Sequence, residues 1–465
     1  MRWSFTVLAL AVAVSMVVAD EPGKLTLEQR KELFAKWNEL VKTGDRAYQA
    51  GKLADATRAF EEGLEVARRL YPKAEFPKGH ANLATAMHYL AFVYFDQEKF
   101  AESEQLYRDS LEIRRRVLPD DHPDTAESLN SLGFLYHKWG KLGEAETLLK
   151  DALAMRQRLF PGDHPDVAAS LSNLAGLYEE QGKLSAAEPL LEEALAMNKR
   201  LYDGDHVAVA RRLNNLAKLY AARGRLAEAE PLCRESLAMR QRLFKGDHQD
   251  VATSLNNLAM ILRYKGMPSD AEPLLKDVLA MDQRLHPGDH SSTAATLHNL
   301  GGLYASQGRL SEAEALLKDA LAMRRRLYKG DHPELADSLG QLASLFEAEG
   351  KFSEAFPLCL SALEMRQRLF RGDHPAVSTS LNNLAHQYLA DGRFADAERL
   401  YKAALEMRQR LFPGDHPDVA QTMGNLAELY RRQGKLIDTQ KLLEGTLRCA
   451  SDYSPMLTTL TWHSA

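Results

Sequence analysis

The stretch FPGDHPDVA stands unchanged at 160–168 and again at 412–420. An acid, an imidazole and a second acid within four residues could ligate a metal, move protons or end one helix and begin another. Its copies decide between these. His122, His164, His206, His248, His290, His332, His374 and His416 each lie 42 residues from the next, and His80 extends the series backwards. Met155, Met197, Met239, Met281, Met323, Met365 and Met407 keep the same period. A fixed period of this length means stacked repeats, each burying its apolar face against its neighbours.

One period, residues 165–206, resolves into two helices. Val167, Leu171, Leu174, Ala175 and Tyr178 fall at helical spacing, Gln181-Gly182-Lys183 interrupts them, and Leu184, Ala187, Leu191, Ala194, Leu195 and Met197 resume. Alternating β-branched runs are missing, so no strand is expected. Gly182 and its counterparts end the first helix. Ser185 with Glu188, Ser269 with Glu272 and Ser311 with Glu314 have capping-box spacing for the second. Pro189, Pro231, Pro273 and Pro357 fall about one turn into it, where a missing N–H costs little.

The combination Leu-Asn-Asn-Leu-Ala at 213–217, Tyr220, Gly224, Ala229-Glu230 and Ser236-Leu237 resembles a tetratricopeptide repeat. The 42-residue length and the Gly-Asp-His-Pro linker resemble the long variant of kinesin light chain and of bacterial repeat proteins. The resemblance implies an all-α tetratricopeptide-repeat α-solenoid, a right-handed superhelix of about ten helix pairs, whose first helices line a concave groove. The heptad segment by which kinesin light chain joins its motor has no counterpart, so a motor adaptor is not implied.

The expected organisation is a signal peptide at 1–19, N-terminal helices and a divergent first repeat at 20–79, nine 42-residue repeats at 80–449 and a C-terminal tail at 450–465. The leader carries one Arg, an apolar run and a small-residue close at Val17-Val18-Ala19, which implies export to a periplasmic or extracellular space. The alternative is membrane anchorage by an uncleaved N-terminal segment. Three cysteines, Cys233, Cys359 and Cys449, are too few and scattered for a disulfide framework. The net charge of -5 provides no basic field for nucleic acid.

Neither a metal site nor a catalytic centre is expected. Each repeat brings one linker histidine, and copies a packing layer apart cannot chelate together. Hydrolase, zinc and phosphate-loop signatures are missing. The linker is therefore read as a helix stop, a turn and a helix start. Cys233 and Cys359 read as small apolar fillers, the methionines as core, and the arginines that follow them (Arg156, Arg158, Arg240, Arg242, Arg324 to Arg326, Arg366, Arg368, Arg408 and Arg410) as a solvated face.

Function is expected on the first helices. Position in the resembled family puts Asn173, Asn215, Asn257, Asn299, Asn383 and Asn425 on the groove face, with Asn214, Asn256, His298 and Asn382 beside them. Carboxamides there could pair with an extended backbone or form an inter-repeat ladder. Arg211, Lys218 and Arg263 make the fifth and sixth units locally basic, between Glu179 and Glu180 on one side and Asp337, Glu347 and Glu428 on the other. The expected function is a non-enzymatic scaffold that binds a protein or peptide segment, acidic or ending in a carboxylate, with no cofactor, nucleic acid or small-molecule substrate. The alternative is a self-associating structural component of an envelope assembly.

Overall fold

The computed structural model describes residues 24–450 except 371, 413 and 415, with backbone alone for 448–450. The expected leader, the residues after 450 and the Cys449 side chain lie outside the described residues. Those described form twenty α-helices and no strand. They come in ten pairs: α1 (Leu27–Gln49) and α2 (Leu53–Leu70), α3 (Ala81–Asp96) and α4 (Phe100–Val117), α5 (Pro123–Lys138) and α6 (Leu142–Leu159), α7 (Pro165–Glu180) and α8 (Leu184–Leu201), α9 (Val207–Ala222) and α10 (Leu226–Leu243). The others are α11 (Gln249–Tyr264) and α12 (Pro268–Leu285), α13 (Ser291–Ser306) and α14 (Leu310–Leu327), α15 (Pro333–Ala348) and α16 (Phe352–Leu369), α17 (Pro375–Ala390) and α18 (Phe394–Leu411), α19 (Pro417–Arg432) and α20 (Leu436–Ala450). No helix among the described residues is long and apolar enough to cross a membrane.

The helices divide between two compact units. One runs to Tyr136 and includes Thr147–Leu159; the other takes His137–Glu146 and everything from Phe160. Within each unit a first helix packs on its own second helix, which packs on the next first helix. Fully buried alanines such as Ala168, Ala175, Ala187 and Ala194 let the helices approach closely, while Leu171, Leu177 and Leu191 fill the space between. Gly182, at φ +71°, turns the chain between α7 and α8 in a conformation that a Cβ would oppose.

Three local expectations are corrected. The second helices start two residues earlier than the Ser-x-x-Glu spacing implies: Lys183, Met267 and Arg309 are the caps, and none makes a side-chain capping bond. The glutamates serve ion pairs instead, Glu188 with Arg225 at 2.5 Å and Glu272 with Arg309 at 2.8 Å. Pro189, Pro231, Pro273 and Pro357 are sixth residues of their helices, beyond the orphan donors of the first turn. The carbonyls they leave unpaired belong to exposed Ser185, Ala227, Ser269 and Ser353, where water can satisfy them.

The arginine series is the third correction. Arg114, Arg156, Arg240, Arg324, Arg366 and Arg408 are buried, Arg408 to 1% exposure. Arg408 donates through Nη1 to the Asp418 carbonyl and the Thr422 hydroxyl, both at 2.6 Å. Arg240 does the same to Asp250 and Ser254, and Arg324 to Glu334 and Ser338. These three guanidiniums thereby tie a second helix to the first turn and a half of the next first helix. Two residues on, about 200° around the helix, Arg410 is exposed and pairs with Asp373 at 2.6 Å.

Within the second unit, two linker histidines reach distant repeats. His374, the N-cap of α17, packs on Gly140, where a Cβ would lie 2.5 Å from its ring. His416 Nδ1 accepts from the Asp418 amide, so its Nε2–H is the donor to the Glu180 carbonyl, at 3.3 Å. The Glu180 carboxylate meets His137 Nε2 at 2.6 Å. Burial pushes His374 down to about 4, against the weaker upward pull of Glu180 and the Lys138 backbone; Arg366 adds to the depression. Burial lowers His416 as well.

Arg408→Ala should cost about 3 kcal/mol or more, since it orphans a buried carbonyl and hydroxyls, whereas Arg410→Ala should cost less than about 1 kcal/mol. Urea midpoints of the two variants check this. Unfolded histidine takes up its proton near pH 6.5. The folded chain should therefore lose stability as pH falls from about 6.5 towards 4, by up to about 3 kcal/mol for His374 alone. His374→Asn, which can still cap α17, should flatten the fall in melting temperature between pH 7.5 and 5.

Candidate functional site

The chemistry suggested by Gly-Asp-His-Pro resolves into a joint. Gly162 takes φ +118°. Asp163 accepts two bonds from Arg200, each at 2.7 Å, and the same pair recurs from Asp121 with Arg158 to Asp373 with Arg410. His164 stacks on Phe160 with ring centroids 3.6 Å apart, and its Nδ1 accepts from the Asp166 amide at 3.2 Å. Pro165 is the first helical residue. Acid and imidazole are thus spent on an ion pair and an N-cap. Among the described residues, no three His, Cys, Asp or Glu side chains are grouped to hold a metal.

Cys233 and Cys359 are buried and free, and burial pushes both thiols up to about 12, which leaves them protonated and unreactive.

The first helices of successive pairs touch, α7 with α9, α9 with α11, α13 with α15 and α17 with α19, and hydrogen bonds from Asn299 to Asn256 and from Gln387 to Glu347 join α13 to α11 and α17 to α15. On α9 the positions left open at helical spacing are Arg211, Asn215, Lys218 and Ala222; on α11 they are Thr253, Asn257, Met260 and Tyr264. The asparagines fall into two classes. Asn299 donates to Asn256 at 2.8 Å and Asn425 to Asn382 at 3.1 Å, so these amides form rungs between neighbouring first helices. Asn214 is buried and donates to Ser254 at 3.2 Å, and Asn173 is buried too. The side chains of Asn215, Asn257 and Asn383 are half-buried and make no hydrogen bond among the described residues. The ladder and the open amides therefore coexist, with Asn215, Asn257 and Asn383 as the open ones.

Charge on this face is uneven. Among the described residues Arg211, Lys218 and Arg263 make no ion pair, although the outer surfaces are laced with them. Arg263 lies over the Tyr264 ring, 5.2 Å from its centroid, and reaches towards Gly302 and Gln341. Desolvation holds Glu179 up at about 7 despite the neighbouring Lys218. Protonation below that pH removes the negative charge that faces Lys218 from α7. Farther along, Glu347 is engaged by His386 and Gln387, and Glu428 by Arg431 and Arg432. Free carboxamides beside uncommitted cations can bind backbone amides and carboxylates of an extended chain.

Sequence reading missed one functional candidate, Arg212, which is 4% exposed. The signal was available: Ser128, Ser170, Ser254, Thr296, Ser338, Ser380 and Thr422 hold a hydroxyl at that place in seven of the other repeats, and Ala86 stands there in the one that follows His80.

Seven segments match the tetratricopeptide repeat model: residues 82–158, 142–200, 166–229, 208–284, 292–366, 339–410 and 376–450. No curated protein sequence matches the chain. Among solved structures, the nearly identical TPR-like repeats of a kinesin light chain-like protein from Podosopora anserina are 25% identical, with a TM-score of 0.38, covering 45% of this chain and 100% of that one. BtubC (BKLC) from P. vanneervenii is 26% identical, with a TM-score of 0.43, covering 51% and 95%. A Rap protein complexed with competence and sporulation factor is 14% identical, with a TM-score of 0.50, covering 92% and 99%, a likeness of fold. With the helix pairs, the turn glycines and the matched segments in agreement, the chain belongs to the tetratricopeptide repeat family.

Proposed function

We propose that this protein is a non-enzymatic scaffold that binds a protein or peptide segment along its first-helix face, in a periplasmic or extracellular space. The observation that carries the reading is the set of uncommitted groups on that face. Among the described residues Arg211, Lys218 and Arg263 lack ion pairs, and the side chains of Asn215, Asn257 and Asn383 lack hydrogen bonds, in a chain whose other polar repeats are largely paired. An extended segment with an acidic side chain or terminal carboxylate would satisfy both kinds of group, the amides reading its backbone and the cations its charge. Asn173, Asn214, Asn256, Asn299, Asn382 and Asn425 hold the wall beneath it. The protected thiols and the structural role of every linker histidine support a binding role over catalysis.

A second reading has its own observation. Leu436, Ile437, Leu443 and Leu447 on α20 are 71%, 73%, 47% and 68% exposed, an apolar end face of the kind that joins copies end to end.

Arg211→Glu with Lys218→Glu should abolish capture of the partner in a crosslinked pulldown while circular dichroism stays unchanged. Retention of every wild-type partner would refute the groove assignment. Light scattering of the chain from residue 20 should report a monomer at micromolar concentration; a concentration-dependent oligomer dispersed by Ile437→Glu would favour end-to-end association instead.

A further inference from the structure

The linker histidines share one set of local bonds but not one environment. Nδ1 accepts the amide two residues on at His164, His206, His248, His332, His374 and His416. The neutral ring therefore carries its proton on Nε2. Most of these rings are half-buried, whereas His374 and His416 are 8% and 7% exposed. What covers these two comes from repeats six helix pairs earlier in the chain.

The two contacts are copies of one another. His416 Nε2–H donates to the carbonyl of Glu180, the last residue of α7, at 3.3 Å. His374 bonds the backbone of Lys138, the last residue of α5, through its own Nε2–H. Both bonds span 236 residues, so they share one register. The last carbonyls of a helix have no partner inside it, and an N–H from elsewhere supplies what they lack. Gly140 makes the room, since a Cβ there would lie 2.5 Å from the His374 ring. Among the described residues, every closely packed pair of helices comes from one repeat or from two successive ones, so these histidine contacts join the distant repeats without an interface of packed helices.

An imidazole bonded at both nitrogens, one of them as acceptor, can take a second proton only by giving up the amide it caps. The surroundings of the pair oppose that charge. Burial holds His374 at about 4 and His416 below its ordinary range, outweighing the upward pull of Glu180 on both and of Asp418 on His416. Arg366 adds to the depression at His374 and Arg408 at His416. The Glu180 carboxylate is already engaged by His137 Nε2 at 2.6 Å and lies beside Lys138. In water both rings take up a proton near pH 6.5. Both are depressed in place, so the contacts are intact above that pH and are lost as pH falls towards 4.

We infer that His374 and His416 form a clasp that fastens the starts of α17 and α19 to the helix ends at Lys138 and Glu180, and that acid releases it while the individual repeats stay folded. Release gives up two imidazole–carbonyl bonds and the packing on Gly140, against an apolar interface at each junction between successive repeats, so the clasp yields first. The first helices α9, α11, α13 and α15 lie between the fastened ends in the chain, and the clasp sets how far the ends of that stretch can part. It goes beyond the groove reading and stands without it, since the contacts need no partner.

Spin labels at Glu144→Cys and Ala403→Cys, both exposed positions, read the separation across the clasp in the full chain carrying Cys449→Ser. Cys233 and Cys359 are buried and stay unlabelled. The separation should shift to longer values between pH 7.5 and pH 5 while helicity by circular dichroism is unchanged. In His374→Asn with His416→Asn, whose carboxamides still cap the helices but do not titrate, that shift should be lost. Gly140→Asn tolerates the left-handed turn but sets a Cβ against the His374 ring, so it should give the longer separation already at pH 7.5. A separation equal at both pH values, a shift that survives in the double variant, a short separation kept by Gly140→Asn, or a shift that coincides with loss of helicity would overturn the clasp.

Discussion

A buried guanidinium that donates to a carbonyl and a hydroxyl of the next helix is the contact on which the stacking of these repeats depends. Apolar packing alone would let helix pairs slide, because leucine and alanine rows are alike in every repeat. The arginine removes that freedom, since its donors find acceptors in one register only and would otherwise be stranded away from water. Arg408, with partners on α17 and α19, shows the arrangement most completely. The exposed pair two residues later, Arg410 with Asp373, closes the linker from outside and works in high dielectric, so it orients the turn more than it stabilises it.

The linker histidine completes the joint from the other side. Its Nδ1 must stay unprotonated to receive the amide of the new helix, and an aromatic ring four residues before it covers one face at six of the seven junctions from His164 to His416, with His286 taking that place at the seventh. Where burial also holds the imidazole below its ordinary range, as at His332, His374 and His416, acid weakens the turn. His374 and His416 add a longer reach, since their burial against Gly140 and Glu180 holds together parts of the second unit more than two hundred residues apart in the chain.

Much of the fold was legible in the chain because its 42-residue period repeats both punctuation and apolar spacing. The ten helix pairs, the left-handed glycine turns and the non-chemical role of Gly-Asp-His-Pro all follow from local rules. The split between Arg408 and Arg410 does not: both are charged, and only rotation about the packed helix decides which one meets the next repeat. The Ser-x-x-Glu spacing misled for a related reason, since Glu188 and Glu272 are drawn to arginines across the repeat boundary, a tertiary demand that outweighs capping. The asparagines were legible as a face but not as individuals. Whether an amide is a rung or stays open depends on what stands 43 residues away: Asn299 finds Asn256, whereas Asn383 faces Gly340.

The junction between α8 and α9 departs from this rule of assembly, with Asn198 and Arg212 where the lock places an arginine and a hydroxyl, and beside it lie the uncommitted groups of the first-helix face. On this account the departure weakens the stack locally, because it buries Asn198 Nδ2 and Arg212 Nε without an acceptor among the described residues. The thermal unfolding midpoint of the double variant Asn198→Arg with Arg212→Ser tests that claim directly, because it restores the lock that Arg114, Arg240, Arg324, Arg366 and Arg408 make at their junctions. The midpoint should rise by several degrees in phosphate-free buffer; a midpoint equal to or below that of the unaltered chain would contradict the account.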